Sequence, residues 1–297
     1  MAFKVLSATM HFRSLLTVLS VILSLDLLAG SGVDPNVEVP IKLSGDWAAT
    51  QDKTTHDISR ETLASIDGYT TVTAELVPGT KPAELGVLPL SSLLKAFPLA
   101  GSADGLLLET QNEWESYLPL EYIVKENSML LLYYNGVPPS AGSWPYFGGD
   151  IEPLAPYYVF DPTTPVPTFP TSPKYGMIGA TQIIGIRAMN TQKRYAPFFD
   201  PPMDQLSESA SVGRDIFLQR CNSCHKGPGN VGGDVSQRPF IILQTHAKYN
   251  AAYFTKVVTN PKQFYPDTSM PNHEDFRGED FDALIAFLKE SAELTHP

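Results

Sequence analysis

The stretch Phe217–Asn230, FLQRCNSCHKGPGN, holds both cysteines of the 297-residue chain, Cys221 and Cys224, with His225 directly after the second. Two cysteines three positions apart admit four readings. As a disulfide they close a tiny loop, which restrains the unfolded chain little. As a thioredoxin-like redox pair they belong at a helix start after a strand, whereas the preceding SVGRDIFLQR, Ser211–Arg220, reads as a helix running into Cys221. As half of a zinc site they need two more Cys or His at close spacing, and His246 and His273 stand far off. The fourth reading uses all three residues. Thiols one helical turn apart suit the two vinyl groups of a haem, and the next imidazole then meets the iron, so the pattern points to one covalently attached haem c.

An iron with His225 on one face needs an account of the other. Met270 lies in YPDTSMPNHEDF, Tyr265–Phe276, a proline-flanked stretch between two helical segments. A thioether favours ferrous iron and raises its potential. Met is more often core filler than ligand, and His246 and His273 offer bis-histidine ligation as the competing arrangement. Met129, Met177, Met189 and Met203 precede the helices of this region. With His225 and Met270 as metal ligands no coordination position stays open, which describes an electron carrier and not an enzyme. Two alternatives remain: a peroxidase or gas-binding haem with a displaceable sixth ligand, and a self-contained molybdenum dehydrogenase.

The N-terminus reads as an export signal over residues 1–31. Lys4 and Arg13 precede an apolar run, Leu15–Leu28, and LLAGSG supplies small residues for cleavage. The run is short for a membrane span and contains Asp26. The expectation is a periplasmic protein with no membrane span after cleavage. A formal net charge of −11 argues against a nucleic-acid partner. The charge is uneven. Between Ser211 and Lys262 seven bases face only Asp215 and Asp234, a basic rim that would steer an acidic redox partner.

Between the signal and about residue 200 the pattern is of short strands and turns. TVTAELV, GLLLET, MLLLYYNG, YYVFD and IIGIRAM read as strands, SSLLKAF as a short helix, and Asn135-Gly136 as a tight turn. Ten prolines between Pro138 and Pro173 keep that stretch extended and looped. Trp47, Trp114 and Trp144 read as core or interface, His56 as a solvated loop residue, and NEWES (Asn112–Ser116) as a wet acidic surface.

Residues from about 205 onward resemble a class I cytochrome c, through GRDIFLQRCNSCH, YNAAYFTKVVTNPKQFYPDTSMP and EDFDALIAFLKE. The resemblance implies terminal helices crossing at Gly213 against Phe287, Met270 as the distal ligand, and the Pro228 carbonyl accepting from the proximal imidazole. LPLSSLLKAFP, GLLLETQNEWESYLPLEYIVKENSMLLLYYNGVPP and KYGMIGATQIIGIRAMN are similar to closing segments of the molybdopterin-binding domain of the sulfite oxidase family. That family binds molybdenum through a cysteine, and both cysteines here lie in the haem motif. Residues 32–204 carry 10 Lys/Arg against 20 Asp/Glu, few bases for a pterin phosphate. This resemblance therefore implies a shortened, cofactor-free relative.

The expected fold class is α+β in two domains: a β-rich mixed N-terminal domain over 32–196, a Pro-rich linker over 197–208, and an all-α monohaem cytochrome c domain over 209–297. In this reading the linker is a semi-rigid spacer. The acidic front domain docks the cytochrome to redox protein partners, a periplasmic dehydrogenase and an electron acceptor.

Overall fold

The computed structural model describes residues 39–48, 55–76, 81–139, 144–147, 152–162, 171–172, 176–177 and 180–295. The expected export signal and much of the proline-rich stretch lie outside them.

The front part is built on two sheets. The first comprises β1 (Ile41–Gly45), β2 (His56–Ile58), β5 (Gly105–Thr110), β6 (Glu115–Pro119) and β13 (Ile183–Met189), in the order β2-β1-β13-β5-β6. Only the β1–β13 pair is parallel, with Leu43 opposite Ile186. The second sheet is antiparallel and orders β10 (Tyr158–Phe160), β7 (Met129–Tyr134), β4 (Ala83–Pro89) and β3 (Thr70–Ala74). Two short ribbons pair β8 (Tyr146–Phe147) with β9 (Glu152–Pro153), and β11 (Thr171–Ser172) with β12 (Gly176–Met177). Short helices α1 (Arg60–Ala64), α2 (Leu90–Ala96), α3 (Leu120–Glu126) and α4 (Thr191–Tyr195) fill the connections. The expected strands are present, and Asn135 and Gly136 both take the positive φ that a tight hairpin turn requires.

The GLLLET strand explains how this sheet is used. Side chains alternate across a strand, so Leu106 and Leu108 share one face of β5 and Leu107 the other. Leu106 and Leu108 sit in a core with Leu43, Leu118 and Ile186. Leu107 instead joins Tyr117 and Met189 in a second core that contains Phe217, Leu284 and Phe287 of the helical part. The continuous apolar run is that of a strand buried on both faces. The sheet therefore forms a wall between the front core and the helices behind it.

Those helices are α5 (Glu208–Arg220), α6 (Phe240–Tyr249), α7 (Ala251–Thr259) and α8 (Gly278–Thr295). Ser207 caps α5 by accepting from the Ala210 N–H at 3.2 Å, and it donates its own N–H and hydroxyl to the Glu290 carboxylate of α8. α5 and α8 cross where Gly213 lies against backbone. A Cβ there would stand 1.9 Å from the Ala283 carbonyl oxygen. Phe287, one turn along α8, packs on Phe198, Phe217 and Phe240. Gly213→Ala should force the helices apart and cost about 1–3 kcal/mol or more, read as a lowered midpoint in urea. A wild-type midpoint would contradict the tight crossing.

The proline-rich stretch expected to act as a spacer does not do so. Phe198 is fully buried and stacks at 6.4 Å on Phe287, with the Tyr195 ring at 6.3 Å. Met203 is also buried. A side chain that can fill a core gains more from burial than from reach, so Phe198 and Met203 anchor this stretch while Phe199, Asp200, Pro201, Asp204 and Gln205 stay exposed.

Candidate haem-binding site

Cys221 is the residue that ends α5, and its carbonyl accepts from the Cys224 and His225 N–H groups at 3.1 and 2.9 Å. The motif thus wraps one more turn past the helix end. Asn222, buried, holds this turn by donating from Nδ2 to the Val231 carbonyl at 2.8 Å. The loop that follows returns to it: Gly233 N–H donates to Asn222 O at 2.9 Å and Ser236 N–H to Cys224 O at 3.2 Å. Met270 lies in the connection between α7 and α8, with its N–H on the Thr268 hydroxyl at 3.1 Å.

One cavity of about 620 Å³ brings these together. Cys221, Cys224, His225 and Met270 all line it, although the fourth lies 45 residues from the third. Its walls are mostly apolar, with Leu243, Val257, Val258, Leu284 and Leu288 among them. The volume lies within the usual range for cofactor sites.

Electrostatics separate the competing readings. Burial pulls the His225 imidazole down to about 4, with the charges of Arg238 and His273 acting in the same direction. The ring is therefore neutral near pH 7 and able to ligate. Burial pushes the Cys221 thiol up to about 12, against a smaller opposing pull from Arg220. A reactive thiol has a depressed pKa, so the redox-dithiol reading loses support. Both cysteines are free of disulfide. Among the described residues no group of three or more His, Cys, Asp or Glu is gathered to hold a metal.

The residues present fit a haem. Two thiols, a neutral imidazole and a thioether share one apolar cavity, and the Nδ1 of His225 is sealed from solvent with no hydrogen-bond partner. The expected Pro228 contact is not formed. Its carbonyl accepts from Val231 N–H at 3.3 Å, because the Pro228–Asn230 turn, with Gly229 at φ +66°, closes on itself. Metal-bound histidines ordinarily donate through the second ring nitrogen, and here that partner is missing.

His246 and His273, the competing ligands, line the same cavity. His273 is buried and its imidazole is held below the usual range by burial and by Arg220. Four of the seven bases expected to form a rim are paired: Arg214 with Asp215, Arg220 with Asp275, Lys226 with Asp234, and Lys248 with Glu293. Local acids thus neutralise much of that rim. Arg238 lies over the Tyr265 ring at 4.8 Å, and both line the cavity.

Sequence reasoning missed one wall. Trp114 lines the cavity from the β-rich part, and NEWES is not the wet surface expected of it. Trp114 read as core or interface, and no local periodicity signals which cavity it would line.

Residues 208–288 match the family model described as cytochrome C oxidase, cbb3-type, subunit III. The helical part carries a cytochrome c domain. The match covers well under half of the chain and does not reach the β-rich part. No curated protein matches the chain. A cytochrome c domain supports a haem-containing electron carrier with redox partners. Among the described residues no helix is long and apolar enough to cross a membrane.

Proposed function

We propose that the protein is an exported, periplasmic monohaem c-type cytochrome that carries single electrons between a redox enzyme, such as a dehydrogenase, and an acceptor. The observation that carries this reading is the shared cavity of Cys221, Cys224, His225 and Met270. Cys221 and Cys224 would hold the haem through thioether bonds, and His225 and Met270 would ligate its iron. Bound haem supplies a one-electron iron couple. The protein's part is to hold its ligands in place and keep water out. The Asn222 bonds fix the turn that carries the cysteines, and the mostly apolar walls would limit water around the bound group.

The β-rich domain over 32–196 serves as the docking module for the partner. Because Phe198 and Met203 anchor the stretch that follows it, it presents that partner from a fixed position. Its surplus of acids suits a partner with a basic face.

The test is spectroscopic. The ferric protein should show the weak far-red band of Met-to-iron coordination, and Met270→Ala should lose it while keeping the covalent haem. The same variant should bind carbon monoxide readily when reduced, whereas the wild type should not. Rapid stoichiometric binding by the reduced wild type would instead establish an open sixth position and a gas-binding or peroxidase role.

A further inference from the structure

The turn joining β5 to β6 projects from the sheet toward the attachment loop. Its conformation is strongly determined. Glu113 takes φ +65°, and the Thr110 hydroxyl lies 2.6 Å from Asn112 Oδ1 and 2.9 Å from the Trp114 carbonyl oxygen. Arg194 of α4 grips both carboxylate oxygens of Glu115, at 2.9 and 2.7 Å.

The tip is hydrogen-bonded to the cytochrome loop on both sides of Trp114. Glu115 N–H donates to the carbonyl of Ser223, between the two cysteines, at 3.1 Å. Glu113 O accepts from Asp234 N–H at 2.9 Å. Gly233 passes through the gap. A Cβ there would stand 1.9 Å from Ser223 O and 2.9 Å from Glu113 O, so the three backbone segments approach as closely as glycine allows. Trp114 itself packs against the front core on one side and lines the cavity of Cys221, Cys224 and His225 on the other. Its Nε1 is sealed from solvent.

We propose that Trp114, delivered by the β5–β6 hairpin, is a haem-contacting residue, so that the β-rich part completes the wall of the cofactor pocket beside the attachment loop. The inference rests on the haem reading above. Its chemistry is exclusion of water. Ferric iron carries one more positive charge than ferrous iron, and solvent stabilises that charge. An aromatic wall at the pocket favours the ferrous form and raises the potential. The β-rich part thereby tunes the cofactor directly, in addition to any docking role.

The experiment uses full-length holoprotein. Trp114→Phe identifies the indole N–H resonance of Trp114 by its disappearance from the nitrogen–proton correlation spectrum. Between the ferrous and ferric forms, that resonance should move more than those of Trp47 and Trp144, which are buried in the front part, because dipolar shifts from ferric iron fall steeply with distance. The midpoint potential should drop in Trp114→Ala and stay near wild type in Trp114→Phe, which keeps an apolar ring. A role confined to packing would lower stability and leave both readouts unmoved. A Trp114 resonance that shifts no more than that of Trp47 overturns the inference, even where Trp114→Ala fails to fold. A chain that takes up no haem overturns the haem reading itself, so the two failures are distinguishable.

Discussion

Replacing Cys221 and Cys224 together by serine should leave the chain without covalently bound haem. The thiols line an apolar cavity, one turn apart past the end of α5, on a turn fixed by bonds from Asn222 and Gly233. Serine preserves the size and much of the polarity of each position but cannot form a stable thioether. His225 and Met270 remain, so the variant should still bind haem weakly. The expected result is quantitative. Acid extraction into organic solvent should release all haem from the double variant and none from the wild type, and the pyridine haemochrome should move from the c-type to the b-type spectrum as the vinyl groups are restored. Each single variant should retain one bond and give an intermediate spectrum. Without a tether, retention depends on the cavity and two axial bonds, and haem should pass to a competing apoprotein. Covalent haem in the double variant would locate the attachment elsewhere, and a wild type free of haem would end the cytochrome reading.

The CNSCH motif was the most legible part of the candidate site, because its information is local. Three residue types at fixed spacing suffice, and the helix running into Cys221 follows from SVGRDIFLQR. The strands were legible for a similar reason: GLLLET, MLLLYYNG and IIGIRAM carry enough β-branched and leucine residues to show themselves. What they face was not. GLLLET reads as a buried strand, but nothing in it says that Leu107 turns toward helices encoded a hundred residues later while Leu106 and Leu108 turn away. Trp114 is the sharper case. It reads as core or interface, but nothing local says which cavity it lines, and the glutamates on either side are engaged, one through its backbone carbonyl and one through Arg194. Charge near a residue reports its environment only when the partners of that charge are known. The Pro228 expectation failed through turn geometry: the Pro228–Asn230 turn aims that carbonyl at the Val231 N–H and away from His225. Prolines misled in the same way at Pro197, Pro201 and Pro202. They forecast an extended spacer, while the adjacent Phe198 carried the stronger instruction.

Phe198→Ala should therefore be among the most destabilising single changes in the protein, although it falls in a stretch that reads as a linker. Phe198 is fully buried, with ring centroids 6.0 Å from Phe217 and 6.4 Å from Phe287. A Cβ on Gly227 would lie 2.3 Å from its ring tip, so the attachment loop is packed on it as well. Truncating a buried phenylalanine costs about 3–5 kcal/mol, from lost burial and from the cavity left behind. Against a total stability on the order of 5–15 kcal/mol that is a large share. At roughly 2–4 °C per kcal/mol for a chain of this size, the melting temperature should fall by about 10 °C. The loss should not be confined to the linker. Phe217 lines the cofactor cavity and Phe287 anchors α8 to α5, so amide exchange should quicken in α5, α8 and the attachment loop together. A flexible spacer predicts the opposite: a change of under half a kcal/mol and exchange altered only near residue 198. Calorimetry of full-length wild type and variant, with site-resolved hydrogen exchange on both, separates these outcomes. A melting temperature within a degree or two of wild type would return residues 197–205 to the role of a semi-rigid spacer.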